Sequence, residues 1–364
     1  MSSQLDILCL EPFYGGPRRA MLETLIRCSR HRWTLLKLPP RKIERRLTTA
    51  ALWFAEQLNR HWTGRFDLLF TSEAMNLTEL FRRVPKLAKR PAVVYFHSNQ
   101  LPHSDIDEPT QPWQTANLST ALSATEIWFN SQHHLDHFIP LAKAVLNRTP
   151  ELQPRDLLPS LQAKAHVYSP PVDLSLVHEY MTPGMTKSDR RIIFVETRDA
   201  DVTLLNGAFK KLRARGEAFR FVTVGPAADV APDLPRLTLH ERDDAAHARA
   251  LVGAGVFVSV RPDAHHDAHT IRALAGRCWP ILPNTGVYSE LIPPSLHATC
   301  LYDPTPTMLA NRLEAAWAED QSDLLDRELS QWLTTFDAVT LCKRMDARIE
   351  ELAVGHSLDH SRAP

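Results

Sequence analysis

In Val93-Val94-Tyr95-Phe96-His97-Ser98-Asn99-Gln100-Leu101, four β-branched or aromatic residues run straight into four side chains that hydrogen-bond. The apolar half is a short strand that can be buried on both faces. An open parallel sheet binds ligands beyond the carboxyl ends of its strands. The polar half is therefore where a site is expected. The plain alternative is a loop that hydrogen-bonds only its own backbone.

Outward from that strand the chain alternates between strand and helix. Upstream, a buried strand at 6–10 runs through Glu11-Pro12-Phe13-Tyr14-Gly15-Gly16-Pro17 into an amphipathic helix at 18–30. A strand, a Gly15-Gly16 turn and a helix N-terminus form an anion-binding arrangement of bare amides and a positive dipole end. A strand at 33–38 follows, then a helix at 47–62 with Leu52, Phe54, Ala55 and Leu58 turned inward. A strand at 68–71 and a helix at 77–83 come next. Downstream lie a helix at 113–122, a strand at 127–129 ending in Asn130-Ser131, a helix at 133–144 and a strand at 167–172.

Residues 169–191, with Pro170, Pro171, Pro183 and Gly184, read as a linker. A second alternation begins with a strand at 192–195, a helix at 204–215 and a strand at 219–224. Segments 237–239, 245–252, 256–260, 270–275, 279–282 and 300–302 continue it. Helices are expected at 308–319, 324–335 and 338–352, with a frayed final dozen residues. The expected fold is α/β: two Rossmann-like doubly wound domains facing across a cleft, at 1–175 and 190–340, followed by a C-terminal helix and tail at 341–364.

At 364 residues, 44% hydrophobic and 23% charged, the composition suits two globular domains. No window approaches the ~20 apolar residues of a membrane span. Met1-Ser2-Ser3-Gln4 lacks the basic start of a signal peptide. Five scattered cysteines indicate reduced thiols and a cytoplasmic location. Net charge is zero, yet residues 1–170 carry 21 Lys/Arg against 15 Asp/Glu, and residues 171–364 carry 21 against 27. The basic first half suits an anionic partner such as RNA. Arg41, Lys42, Arg45 and Arg46, and further along Arg82, Arg83, Lys86, Lys89 and Arg90, would suit phosphates if they share a face. Trp53, Trp62 and Trp113 could stack on a splayed base, although the spacing of the first two fits the core better.

Several segments in the right order resemble the tRNA-queuosine mannosyltransferases, relatives of the retaining family-4 glycosyltransferases with the GT-B fold. They are Glu11-Pro12-Phe13-Tyr14-Gly15-Gly16, Leu38-Pro39-Pro40-Arg41-Lys42, Ala50-Ala51-Leu52-Trp53-Phe54-Ala55, Ser72, Asn76-Leu77, Glu79-Leu80, Tyr95 through Leu101, Asn117, Phe129-Asn130-Ser131 and Pro170-Pro171-Val172-Asp173. Fainter likeness continues at Val258-Ser259, Cys278-Trp279-Pro280-Ile281 and Tyr288-Ser289-Glu290.

The resemblance implies transfer of mannose, with retention, from GDP-mannose to queuosine in tRNA. The nucleotide sugar is a substrate held by the second domain, and no metal or cofactor is implied. His97 would bond a sugar or acceptor hydroxyl and act as a base. Gly15, Gly16, Asn99, Gln100, Asn130 and Ser131 would line the acceptor or sugar side. Arg198, Arg272, Tyr288 and Glu290 would lie near the nucleotide.

Departures from the family pattern are as informative. The family's two glutamates fall at Ala264 and Arg272, of which neither side chain accepts a hydrogen bond. Val195 and Asp199 stand where an aromatic and a lysine are usual. Ser98 replaces a glutamate, and Arg18 lies near a usual histidine. Asp263 is expected to stand in for the missing carboxylate. The stretch Arg261-Pro262-Asp263-Ala264-His265-His266-Asp267-Ala268-His269 is rich in metal-type ligands, but its spacing argues against a metal. His133 and His137 share a helix face without further ligands. Two readings remain: an active transferase, or a catalytically inactive or donor-altered relative acting as an RNA- or sugar-binding module.

Overall fold

The computed structural model describes residues 4–62, 64–101, 111–147, 156–182, 187–195, 200–225, 229–231, 234–240, 243–318, 328–329 and 331–362. The chain divides into two compact units, residues 1–171 with 338–364, and residues 172–337. Each unit is a six-stranded parallel sheet flanked by helices, the α/β architecture expected from the alternation.

In the first unit β1 (Asp6–Glu11), α1 (Gly16–Cys28), β2 (Arg32–Lys37), α2 (Ile43–His61), β3 (Leu68–Ser72) and α3 (Leu77–Arg83) follow in order. Then come β4 (Ala92–Phe96), α4 (Pro112–Ser123), β5 (Glu126–Phe129), α5 (Gln132–Asn147), α6 (Leu157–Ala163) and β6 (Ala165–Val167). The spatial order is β2-β1-β3-β4-β5-β6. Strand order therefore reverses between β1 and β3, which pair in parallel from Ile7↔Leu68 to Leu10↔Thr71. A reversal of this kind opens a crevice at the carboxyl ends of the two strands.

The central strands are apolar throughout because both faces are covered. One face sends Leu8, Leu10, Leu69, Val94, Phe96, Ile127 and Phe129 toward α2 to α5. The other sends Ile7, Cys9, Leu68, Phe70, Val93, Tyr95 and Trp128 toward Met21, Leu22 and Leu25 of α1. That second face is completed by the chain's last helix (Ala338–Arg362), whose Cys342, Met345 and Ile349 are fully buried there. Its Asp346 accepts bonds from Ser29 Oγ (2.7 Å) and the Arg30 amide (2.9 Å). Its Arg348 pairs with buried Glu126. The final dozen residues, expected to fray, continue this helix to Arg362.

The second unit contains α7 (Ser175–Tyr180), β7 (Ser188–Val195), α8 (Val202–Ala214), β8 (Arg220–Val224), β9 (Arg236–Leu239), α9 (Asp244–Gly253) and β10 (Ala254–Val258). It continues with α10 (Ala268–Ala275), β11 (Trp279–Pro283), α11 (Tyr288–Leu291), α12 (His297–Cys300), β12 (Leu301–Tyr302) and α13 (Pro306–Ala318). We label the last helix α14. The order β12-β11-β10-β7-β8-β9 places the reversal between β7 and β10.

Local expectations need four corrections. Residues 169–191 are not a plain linker, since they hold α7 and the start of β7. Within 167–172, pairing with β5 ends at Val167, and Val172 instead bridges Asp337. Leu52, expected to face inward, is 41% exposed, and Trp53, expected in the core, is 37% exposed. Of the helix expected at 324–335, residues 324–327 and 330 lie outside the described residues, 328–329 and 331–332 are helical, and Leu333–Phe336 is a 3-10 turn.

Candidate functional site

The crevice of the first unit is built from the ends of β1, β3 and β4 and the start of α1. Glu11 closes β1, Glu73 follows β3, and His97-Ser98 follow β4. Glu73 is fully buried, and its carboxylate is bonded from three directions. Its Oε2 accepts the His97 amide at 3.2 Å. Its Oε1 accepts the Ser98 amide and hydroxyl, each at 3.1 Å, and an ion-pair contact from Arg18 Nη2. Arg18 Nη2 also donates to Ser98 Oγ at 3.1 Å, and its guanidinium lies 5.4 Å from the Phe13 ring centroid. A carboxyl group buried away from water is costly unless it is hydrogen-bonded in this way.

Glu11, also buried, accepts from the Phe13 amide (2.7 Å) and Ser72 Oγ (3.0 Å). Burial pushes its carboxyl up to about 7, against the lowering pull of Arg18 and the Phe13 bond, with the Glu73 charge adding to the rise. Two carboxylates thus share one arginine at the switch point. Residue 73 was missed in the sequence, although it stands directly after an apolar strand exactly as His97 does.

Gly15 and Gly16 form the turn between β1 and α1. A Cβ on Gly15 would lie 2.5 Å from Pro40 Cγ, and Gly16 has φ +52, so both positions require glycine. Tyr14 donates its amide to Leu38 O at 2.9 Å. The 38–42 turn is thereby held against the glycine turn.

Beyond Ser98, Asn99 is 6% exposed and accepts the Leu101 amide at 3.3 Å. Gln100 is tied by its amide to Asn117 Oδ1 (3.3 Å) and by its side chain to Ser98 Oγ (3.3 Å). Asn117 in turn donates to Glu73 O at 3.2 Å. Asn130 donates to His97 O (3.0 Å) and pairs through Oδ1 with His134 Nδ1 (2.8 Å). Ser131 Oγ accepts the His134 amide at 3.0 Å. The His97 ring packs on Tyr95 at 4.7 Å and is part-exposed. His97, Ser98, Gln100 and Asn130 therefore form one bonded ledge, with Asn99 between them in the chain. Its support comes from Glu73, Arg18 and Asn117.

The second unit's reversal places Ser259, Val260, Arg261 and Ala264 beyond β10. Ala264 is buried, with its carbonyl accepting the Val287 amide at 2.9 Å. Asp263 is exposed. Asp267 caps α10 through the amides of His269 (3.0 Å) and Thr270 (3.4 Å) and also accepts Thr270 Oγ1 at 3.1 Å. Tyr288 is fully buried, its hydroxyl on Ser259 Oγ (2.6 Å) and Asp267 Oδ2 (3.3 Å). Glu290 is part-exposed on α11.

Arg272 lines a cavity of about 80 Å³ with Asp173, Leu176, Asp244 and His247. Burial lowers His247 to about 3 and His266 to about 4, and lowers His269 as well. Among the described residues, no three His, Cys, Asp or Glu side chains gather as a metal site. Arg198 lies outside the described residues. Nor is any helix among them long and apolar enough to cross a membrane.

Residues 6–172 match the family model described as tRNA-queuosine alpha-mannosyltransferase N-terminal. The chain is 26% identical over 311 residues to a tRNA-queuosine alpha-mannosyltransferase of Drosophila melanogaster, covering 79% of this chain and 81% of that relative. Among solved structures it is similar to a glycosyltransferase from Rickettsia africae ESF-5 (TM-score 0.67, 14% identity, 97% of this chain and 99% of that one). It is also similar to Anabaena Alr3699/HepE in complex with UDP and glucose (TM-score 0.63, 15% identity, 96% and 100%). The fold is GT-B, and the family match lies in the first unit.

Proposed function

We propose, from a first unit that matches the tRNA-queuosine alpha-mannosyltransferase N-terminal model, that the chain transfers a hexose from a nucleotide sugar to queuosine in tRNA. GDP-mannose is the proposed donor, with retention and without a metal. The observation behind this reading is a coincidence: the family match covers the same sheet whose switch point carries the polar ledge.

His97 would accept a hydrogen bond from the attacking hydroxyl, while Asn99, Gln100 and the Gly15-Gly16 turn shape the acceptor side. An oxocarbenium-like transition state asks mainly for positioning and charge. Asp263 offers a carboxylate beside Ala264 for the sugar, and Arg272 and Arg198 offer positive charge to the departing diphosphate. Glu290 serves the nucleotide. Tyr288, with its hydroxyl already engaged by Asp267, would act by holding the α10–α11 corner.

Purified protein incubated with queuosine-containing tRNA and GDP-mannose should give a hexose mass increment in the digested nucleosides. Asp263→Ala should abolish it. No increment with any common nucleotide sugar would leave the RNA- or sugar-binding module instead.

A further inference from the structure

We infer that the turn at 39–46 and the exposed stripe of α2 form a docking surface for an RNA strand. Phosphates would meet Arg41, Lys42 and Arg45, and a base would stack on Trp53. The inference deepens the reading of tRNA as acceptor and rests on it.

Several arginines of the first unit are ion-paired. Arg18 pairs with Glu73, Arg19 with Glu23, Arg30 with Glu350, Arg32 with Asp6, Arg60 with Glu56, and Arg82 and Arg83 with Glu79. Arg41, Lys42 and Arg45 are exposed, and among the described residues they enter no ion pair. Arg46 beside them donates to Pro39 O at 2.9 Å, and burial together with the Arg41 charge lowers its pKa. A cluster of exposed cations without carboxylate partners attracts a negatively charged ligand.

Backbone geometry points the same way. Lys42, the N-cap of α2, sits at φ +47, a conformation an L side chain rarely adopts and that tends to mark functional turns. Helical spacing sets Lys42, Arg45, Thr49, Leu52 and Trp53 on one face, opposite the buried Leu47, Phe54 and Leu58. From Arg45 to Trp53 is about 12 Å along the axis. Leu52 and Trp53 are two of the few large apolar side chains exposed among the described residues. A cationic end followed by an aromatic face matches single-stranded nucleic acid, where phosphates supply charge and bases supply stacking faces. The surface also adjoins the ledge, because Pro40 packs on Gly15 and Leu38 O holds the Tyr14 amide.

The test is fluorescence anisotropy of the full chain with a labelled tRNA that lacks queuosine, without any nucleotide sugar. Its outcome is then independent of whether sugar is transferred. The variant R41E/K42E/R45E should raise the Kd at least tenfold and flatten the salt dependence by about two, as expected for three lost phosphate contacts. Trp53→Ala should weaken binding severalfold without changing that slope. Arg213→Glu, exposed on α8 of the second unit, should do neither, and thermal melts should confirm that all variants fold. Wild-type binding by the triple variant would overturn the proposal. So would equal losses against heparin or a DNA duplex, which would mark a surface for any polyanion. An unchanged Kd for Trp53→Ala would remove the stacking contact.

Discussion

Ser98 gives Glu73 two hydrogen bonds, from its amide and its hydroxyl, both at 3.1 Å. The loop after β4 is thus hung from the residue after β3. Glu73→Ala would leave Arg18 largely buried without its partner, at a cost of about 3 kcal/mol by urea denaturation. In the Glu73→Gln background, Ser98→Glu should recover part of that loss and of transferase activity. Absence of any recovery would show that the carboxylate cannot be relocated.

Glu11 makes stability depend on pH. Its ordinary value is 4.5 and its folded value about 7, so the folded chain holds a proton that the unfolded chain releases. The neutral form is the compatible one, and stability is lost as pH rises from 4.5 through 7, by about 3 kcal/mol in all. Glu11→Gln should equal wild type near pH 5 and exceed it at pH 8 in denaturant melts. Parallel profiles for the two proteins would contradict this.

Restoring the family's carboxylates should separate the two positions. At residue 264 the backbone is crowded, since a Cβ on Gly286 would lie 3.0 Å from Ala264 O, and Ala264 itself is 2% exposed. Ala264→Glu should cost about 2–3 kcal/mol through overpacking and buried charge. Arg272→Glu, on a part-exposed position lining a cavity, should leave the melting temperature near wild type. Thermal melts of the pair decide the matter.

Ile349 in α14 is fully buried against the first sheet. Ile349→Ala should destabilise the first unit by about 3 kcal/mol. Hydrogen exchange should localise the effect to β1, β3 and β4. A uniform or negligible change would show that α14 contributes little.

Strand and helix alternation was legible because apolar runs such as Leu8-Cys9-Leu10 and Val93-Val94-Tyr95-Phe96 admit little else. The ledge at 97–100 was legible for the same reason: the polarity changes abruptly at a strand end. Glu73 was not, because one charge after a short strand carries no label until Ser98 and Arg18 are brought to it from 25 and 55 residues away. Trp53 was placed inward because α2 is rich in apolar residues on two adjoining faces, and only packing decides which face the sheet covers. The role of α14 was hidden likewise, since a terminal amphipathic helix does not announce which sheet it joins.

Because Cys342, Met345 and Ile349 close the face begun by Ile7 and Cys9, the first sheet is translated long before the last part of its cover. Nascent β1, β3 and β4 are covered on that flank by α1 alone until α14 has been made. A premature stop anywhere beyond the second unit's sheet would therefore strike the half of the protein made first, and chaperone dependence should track the delay in making the last helix.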